Sequence, residues 1–250
     1  MAMAWILLLF STLLSLLLII HLILSSSQQF RVPKTRRRHD PTHLLIVLGS
    51  GGHTAEMLSM LRRLPLDPTV YTHRTYLITT GDSFSATKAA AFEKSLQERY
   101  RDSGSYSIIT VPRARRVHQS FLTAPLSTLQ CFWVCLCVLR GTHPQRPPQG
   151  VPRYPDLILT NGPATAVCVV LAAKLIRFIH AVTGIGMREP SIFPLRTIFI
   201  ESWARVTTLS LSGRILLPFV DRFLVQWPSL AGKRAWRGMR ETEYAGTLVE

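Results

Sequence analysis

Acidic side chains are scarce in this chain, with 14 Asp and Glu against 29 Lys and Arg in 250 residues and a formal charge of +15. Such an excess turns a protein toward anionic partners, nucleic acid or membrane. The basic residues gather at 31–38, at Arg113, Arg115 and Arg116, and at 233–240, beside apolar stretches. Interleaved aromatics and nucleic-acid module patterns are missing, so an anionic membrane surface is expected and no nucleic acid. Cysteine is nearly absent: Cys131, Cys135, Cys137 and Cys168 are all there is. Three of them share one apolar segment without His or acidic neighbours, which argues against a zinc set and suits small buried hydrophobes. No internal repeat occurs. No Lys-Ser or Lys-Thr follows the glycine cluster, which excludes a P-loop. Neither Asp nor Glu ends the second predicted strand, and no Tyr-x-x-x-Lys pair occurs, so a membrane-anchored NAD(P)-dependent oxidoreductase lacks its hydride-transfer site.

Charge is missing altogether from Met1 to Leu24, and Trp5 to Leu24 is nearly all aliphatic. The run matches the ~20 residues a helix needs to cross a bilayer core. A cleaved signal would begin with a basic region and hold a shorter apolar centre. No basic side chain precedes Trp5, so residues 1–24 are read as one uncleaved transmembrane anchor, although Ser25-Ser26-Ser27 has the look of a cleavage region. Residues 25–42 form a basic linker containing Arg31, Lys34, Arg36, Arg37 and Arg38. The positive-inside bias then puts the N-terminus in a lumen and the domain from His43 onward, 43–250, in the cytosol. Disulfides are not expected on that side. The same basic stretch would hold the domain against anionic head groups.

After the linker, strand-like and helix-like segments alternate. Leu44–Leu48, Arg74–Thr80, Ser105–Val111, Asp156–Thr160, Arg196–Ile200 and Asp221–Val225 read as strands. Helices are expected over Thr54–Leu64, Ala86–Arg101 and Ala164–Leu175. This alternation implies right-handed βαβ units, an α/β fold with a Rossmann-like, mostly parallel sheet. Ligands of such sheets bind beyond the carboxyl ends of the strands. Phe121–Leu139 is uncharged and bounded by Arg116 and Arg140. It reads as a helix either packed partly on the sheet and partly in the membrane interface, or wholly in the core. Trp133 and the nearby Arg113, Arg115 and Arg116 are the expected membrane contacts.

Chemistry concentrates where the first strand meets its helix, in Gly49-Ser50-Gly51-Gly52-His53-Thr54. Glycines let a backbone approach an anion, and the free N–H groups of a first helical turn point at it. A glycine turn without a ligand is the plain alternative. The helix dipole favours a neutral imidazole at His53, able to donate to a phosphate or take a proton from a sugar hydroxyl. A His that only caps the helix stands beside that reading. Glu201 ends an apolar strand, where a carboxylate needs a task or a partner such as Arg205. Asn161-Gly162-Pro163 ends another strand tightly and exposes backbone at the ligand edge.

Taken in order, GSGGHT, NGP after DLIL, IESWAR, DRFLVQWP and the terminal EYAGTLV resemble one family from about His43 to the C-terminus. It is the family of the membrane-anchoring subunit of the dolichol-linked N-acetylglucosaminyltransferase of asparagine-linked glycosylation. GSGGHT is shared widely among two-domain glycosyltransferases, whereas IESWAR with VQWP is much more specific. Two departures stand out: Ala164 where the family commonly has Gly, and a stretch at 176–195 longer than usual.

The resemblance implies the N-terminal, acceptor-binding half of a GT-B glycosyltransferase, inactive alone, whose donor-binding half is a separate soluble subunit recruited to the membrane. The pair would transfer GlcNAc from UDP-GlcNAc to dolichyl-pyrophosphoryl-GlcNAc at the cytosolic face of the endoplasmic reticulum, with inversion and without a metal or other cofactor. The expected site is then His53 and Glu201 as catalytic groups, with Gly49, Ser50, Gly51, Gly52, Thr54, Asn161 and Gly162 at the phosphates and sugars. Tyr244, Leu248 and Val249 would dock the partner. A pure membrane scaffold is the non-enzymatic alternative.

Overall fold

A computed structural model of the chain describes residues 2–29, 42–64, 66–67, 69–100, 103–115, 119–120, 122–145, 151–152, 154–162, 164–183 and 195–249. Helix α1 (Ala2–Gln29) is followed by β1 (His43–Val47), α2 (Gly52–Arg63), β2 (His73–Thr79), α3 (Ser83–Arg99) and β3 (Ser105–Val111). Then come α4 (Ala124–Leu139), β4 (Leu157–Asn161), α5 (Ala164–Thr183), β5 (Arg196–Ile200), α6 (Leu211–Leu216), β6 (Arg222–Val225) and β7 (Glu243–Tyr244).

The strands form one sheet in the order β3-β2-β1-β4-β5-β6-β7, and every neighbouring pair is parallel. Short apolar strands buried on both faces are what a parallel sheet covered by crossover helices requires. All five residues of β1 and all seven of β2 are buried. Alternation along β1 divides the core: Leu44, Ile46 and Leu48 pack with α2 and α3, while Leu45 and Val47 pack with α4 and α5. A third cluster gathers Val170, Phe199, Leu216, Phe223 and Leu230 toward the far edge.

The chain reverses direction across the sheet between β1 and β4, so the loops after these two strands flank a crevice where doubly wound sheets bind ligands. Every expected strand is present, to within a residue or two at the ends. The expected helices are present too. The helix expected over 164–175 runs on to Thr183, because Lys174 and Arg177 are neutralised internally. Lys174 Nζ lies 2.8 Å, and Arg177 Nη1 2.6 Å, from the Asp221 carboxylate. Residues 176–183 are therefore helix, and 184–194, like most of the basic linker, lie outside the described residues.

Helix α1 exposes apolar side chains on several faces, among them Trp5, Leu9, Phe10, Leu13 and Leu16, as a helix bathed in hydrocarbon would. Helix α5 is also long and apolar enough to span a bilayer over Ala164–Ala181. Its packing against the sheet makes it a core helix instead. Cys131, Cys135 and Cys168 are buried and Cys137 is half-buried, all four as free thiols.

Candidate functional site

The turn after β1 is open where an anion would need it. Gly51 takes φ +60°, a conformation suited to glycine, and a side chain built at Gly51 or Gly52 would meet nothing within 4 Å. The loop is held from beneath. Thr54 is completely buried; its hydroxyl donates to the Gly49 carbonyl and meets the Ser85 hydroxyl at 2.6 Å. Ser85 in turn donates to Asp82, the residue capping α3. Thr54 was expected at the phosphates, but its hydroxyl is consumed in fixing the loop to the neighbouring helix. What remains for a ligand is the backbone from Gly49 to Gly52 with Ser50 exposed beside it.

His53 follows at the second position of α2, with its side chain 35% exposed, within reach of a substrate. Its ring lies on Gly162: a Cβ there would come within 2.8 Å of the imidazole. Gly162 also adopts φ +88°, so both sterics and backbone require glycine. The tight turn after β4 thus serves as the bed of the imidazole. Beside it, Asn161 is almost wholly buried, and neither end of its amide has a hydrogen-bond partner among the described residues. Buried polar groups are nearly always satisfied, so such an amide marks a place prepared for something else.

Beneath His53 sits Glu56, one turn along α2 and buried. Its Oε2 is 3.7 Å from His53 Nδ1, an electrostatic approach longer than a hydrogen bond. Its Oε1 accepts from the backbone N–H of Trp203 and from Gln226 Nε2, the latter at 3.1 Å. Burial alone would raise the pKa of this carboxyl; the polar surroundings at His53, the Trp203 N–H, Asn161 and Ser202 favour the charged form and hold Glu56 below the ordinary carboxylate value. Glu56 is accordingly a charged group at the floor of the crevice. Sequence reasoning missed it, although its i,i+3 spacing from His53 and its place among Met57, Leu58 and Leu61 on the packed face were available signals.

Glu201 is buried just after β5. Its carboxylate accepts from the N–H groups of Ser202 and Ser210, at 3.1 and 3.0 Å, and from the Ser210 hydroxyl. Ser210 caps α6, so Glu201 closes the loop between β5 and α6. The expected partner Arg205 is not among these donors. With these internal donors the carboxylate clasps the loop it sits in.

Residues 44–248 match the family described as oligosaccharide biosynthesis protein Alg14 like. The chain belongs to the Alg14 family. The protein named UDP-N-acetylglucosamine transferase subunit alg14 in Aspergillus fumigatus is 55% identical, over 78% of this chain and 100% of the relative. The protein of the same name in Schizosaccharomyces pombe is 38% identical, over 87% of this chain and 89% of that one. The Homo sapiens subunit ALG14 is 35% identical, over 76% and 77% respectively. Among solved structures, MurG of Acinetobacter baumannii aligns at 14% identity with a TM-score of 0.48, covering 83% of this chain and 46% of that one, too distant to add an argument.

In this Alg14-family chain the expected membrane contacts and the tail fall elsewhere on the surface. Leu126, Leu129 and Trp133 are strongly exposed and spaced to share one face of α4, with Leu122 exposed in the turn before it. The opposite face, Cys131, Cys135, Val138 and Leu139, is core. Arg113 donates to the Thr80 carbonyl at the carboxyl end of the sheet, and Arg115 is exposed and donates to the Gln119 carbonyl. Arg116 and Phe121 lie outside the described residues. Tyr244 is exposed on β7, whereas Leu248 and Val249 lean partly on their own domain.

Proposed function

We propose that this chain is the membrane-anchoring, acceptor-binding subunit of an inverting transferase that carries GlcNAc from UDP-GlcNAc to dolichyl-pyrophosphoryl-GlcNAc. Membership of the Alg14 family, whose relatives are named as UDP-N-acetylglucosamine transferase subunits, supports the donor and the transfer. The observation that carries the site is the open glycine turn beside His53, at the point where the sheet reverses direction. In this reading the backbone N–H groups of Gly51 and Gly52, at the positive end of α2, receive a pyrophosphate. His53 takes the proton of the acceptor sugar hydroxyl as that oxygen attacks the anomeric carbon. The bond from that carbon to UDP breaks on the opposite side, UDP leaves with the bonding electrons, and the configuration inverts. Asn161 offers an amide to a sugar hydroxyl. None of these steps needs a metal or other cofactor.

The rest of the reaction belongs to a soluble donor-binding subunit in this proposal, the second half of a GT-B enzyme. It docks at Tyr244, Leu248 and Val249. Helix α1 is the single anchor, with the domain on the cytosolic face of the endoplasmic reticulum and the N-terminus in the lumen. The α4 stripe ending at Trp133, with Arg113 and Arg115 nearby, seats the domain so that the polyprenyl tail stays in the bilayer.

The test is reconstitution. Membranes carrying this chain and its co-purified soluble partner should extend GlcNAc-pyrophosphoryl-dolichol, and membranes carrying the chain alone should not. Transfer by the chain alone would end the half-enzyme reading. Full transfer after Gly51 and Gly52 are both replaced by Val, with the partner still bound, would leave only a scaffold.

A further inference from the structure

Gln226 joins three separate parts of the molecule. It sits just after β6, buried, and its amide is used at both ends. Nε2 donates to Glu56 Oε1 and to the Glu201 carbonyl, both at 3.1 Å. Oε1 accepts from the backbone N–H of Leu248 at 3.0 Å. An N–H donor on one side and two oxygen acceptors on the other allow one amide orientation only. The last residues of the chain are thus connected to Glu56 by a single side chain. The tail has a second hold on the same helix, where Arg63 Nη1 donates to the Thr247 carbonyl at 3.0 Å. Trp203, whose N–H donates to Glu56, is braced by Trp227: the indole N–H of Trp227 donates to the Trp203 carbonyl at 2.7 Å, with the rings 5.7 Å apart.

On the other side of Glu56 is the imidazole. His53 is confined between the Gly162 backbone and the Glu56 carboxylate, and its Nδ1 has no hydrogen-bond partner among the described residues. A shift of less than an ångström in Glu56 would turn 3.7 Å into a hydrogen bond and select the tautomer with the proton on Nδ1 and the lone pair on Nε2. That tautomer leaves Nε2 as the proton acceptor.

We propose that Glu56 is a positioning residue for His53, and that a partner docked on the C-terminal tail acts on it through Gln226. The inference rests on the transferase reading above, with His53 as the base. It gives the tail a task beyond adhesion: seating Leu248 fixes Gln226, Gln226 fixes the Glu56 carboxylate, and Glu56 fixes the imidazole. A subunit that is inactive alone then has a physical reason to become active when its tail is held.

The experiment uses the full chain assembled with its soluble partner in membranes. The variants are Glu56→Ala, the near-isosteric Glu56→Gln, Gln226→Leu, His53→Ala and the double change of His53→Ala with Glu56→Gln. The readouts are kcat, KM for both substrates, and partner affinity. Glu56→Ala and Glu56→Gln should each lower kcat by roughly 10- to 100-fold, the scale of a misplaced catalytic group, with KM within about twofold. The double variant should be no slower than His53→Ala alone, since residues acting as a unit are not additive. Gln226→Leu should lower kcat severalfold while partner affinity holds. Normal kcat in Glu56→Gln, or losses that add to those of His53→Ala, would overturn the positioning role. Gln226→Leu with unchanged kcat would remove the tail from it. An inactive wild-type complex would count against the transferase reading; for that case the rate of His53 carbethoxylation, with and without partner, tests the tail link separately. Equal rates in wild type and Glu56→Gln under both conditions would refute it.

Discussion

Two buried polar clusters lie at opposite edges of the same sheet, and they are built on different terms. At the amino ends of β1 to β3, Arg74 and Glu93 are each 1% exposed and joined by two contacts of 2.7 Å. Tyr76 adds its hydroxyl to Glu93 at 2.6 Å, and the Tyr71 and Ser103 carbonyls take further Arg74 donors. On the other face of the same strand ends, His43 and His73 bond with Thr75, Ser105 and Ser107. At the carboxyl ends, by contrast, the Asn161 amide and His53 Nδ1 are left without hydrogen bonds among the described residues. A saturated cluster can only hold the fold, since every ligand would have to break a bond to enter. An unsaturated one carries a standing cost that a ligand or a partner can relieve.

The contrast can be broken most sharply at His53. His53→Ala should lower transfer by the assembled complex by ~10²–10⁴, the range of a lost general base, with the melting temperature nearly unchanged. Unchanged turnover would reduce the carboxyl edge to an accident of packing. The converse experiment is Glu93→Ala. Stranding the Arg74 charge in the core should cost about 3–5 kcal/mol in denaturant unfolding of the detergent-solubilised chain, while folded molecules keep their kcat.

A smaller effect follows from the two histidines. Burial pushes the pKa of His43 and of His73 down from 6.5 to about 4, with the mutual proximity of the two rings adding to the effect at His73. Their folded values lie below the unfolded ones, so the unfolded state takes up protons first as pH falls. Stability contributed by the neutral rings is complete above pH ~6.5 and is lost between there and about 4. Melting temperature against pH should slope through that window, and replacing both residues by Gln should flatten the slope. The smallest effect should be a gain. Asn161→Leu removes an unsatisfied amide and should stabilise the free chain by ~1 kcal/mol while lowering transfer, a trade common at functional sites. A destabilised variant would mean that the amide is satisfied after all.

Much of the fold was legible because its signals are local. The strand at 44–48 ends in glycines that only a tight turn accommodates, and a helix starts at once, so the first βα unit follows from nearest neighbours. Strand ends placed His53, Asn161 and Gly162 on one edge before their distances were known. The site's carboxylate was not legible in the same way. Glu201 looked functional because it ends a strand, whereas Glu56 looked like one polar residue within a helix. The difference comes from partners far along the chain: Ser210 answers Glu201, while Trp203 and Gln226, 147 and 170 residues away, hold Glu56 beneath the imidazole. The bonding of Thr54 was hidden for a similar reason, since Ser85 lies on another helix.

By itself, then, the order of residues determined the apolar leading helix, the parallel α/β alternation, the glycine turn and the family, all of which depend on neighbours within one turn or one strand. Tertiary structure decided which carboxylate lies beside the imidazole, why position 162 is glycine, and how residues 247 and 248 are tied to Arg63 and Gln226. Those outcomes depend on buried electrostatics and contact distances between segments far apart in sequence. The glycine cluster leaves an open turn at the start of α2, but only the folded sheet sets Glu56 and Gln226 behind it.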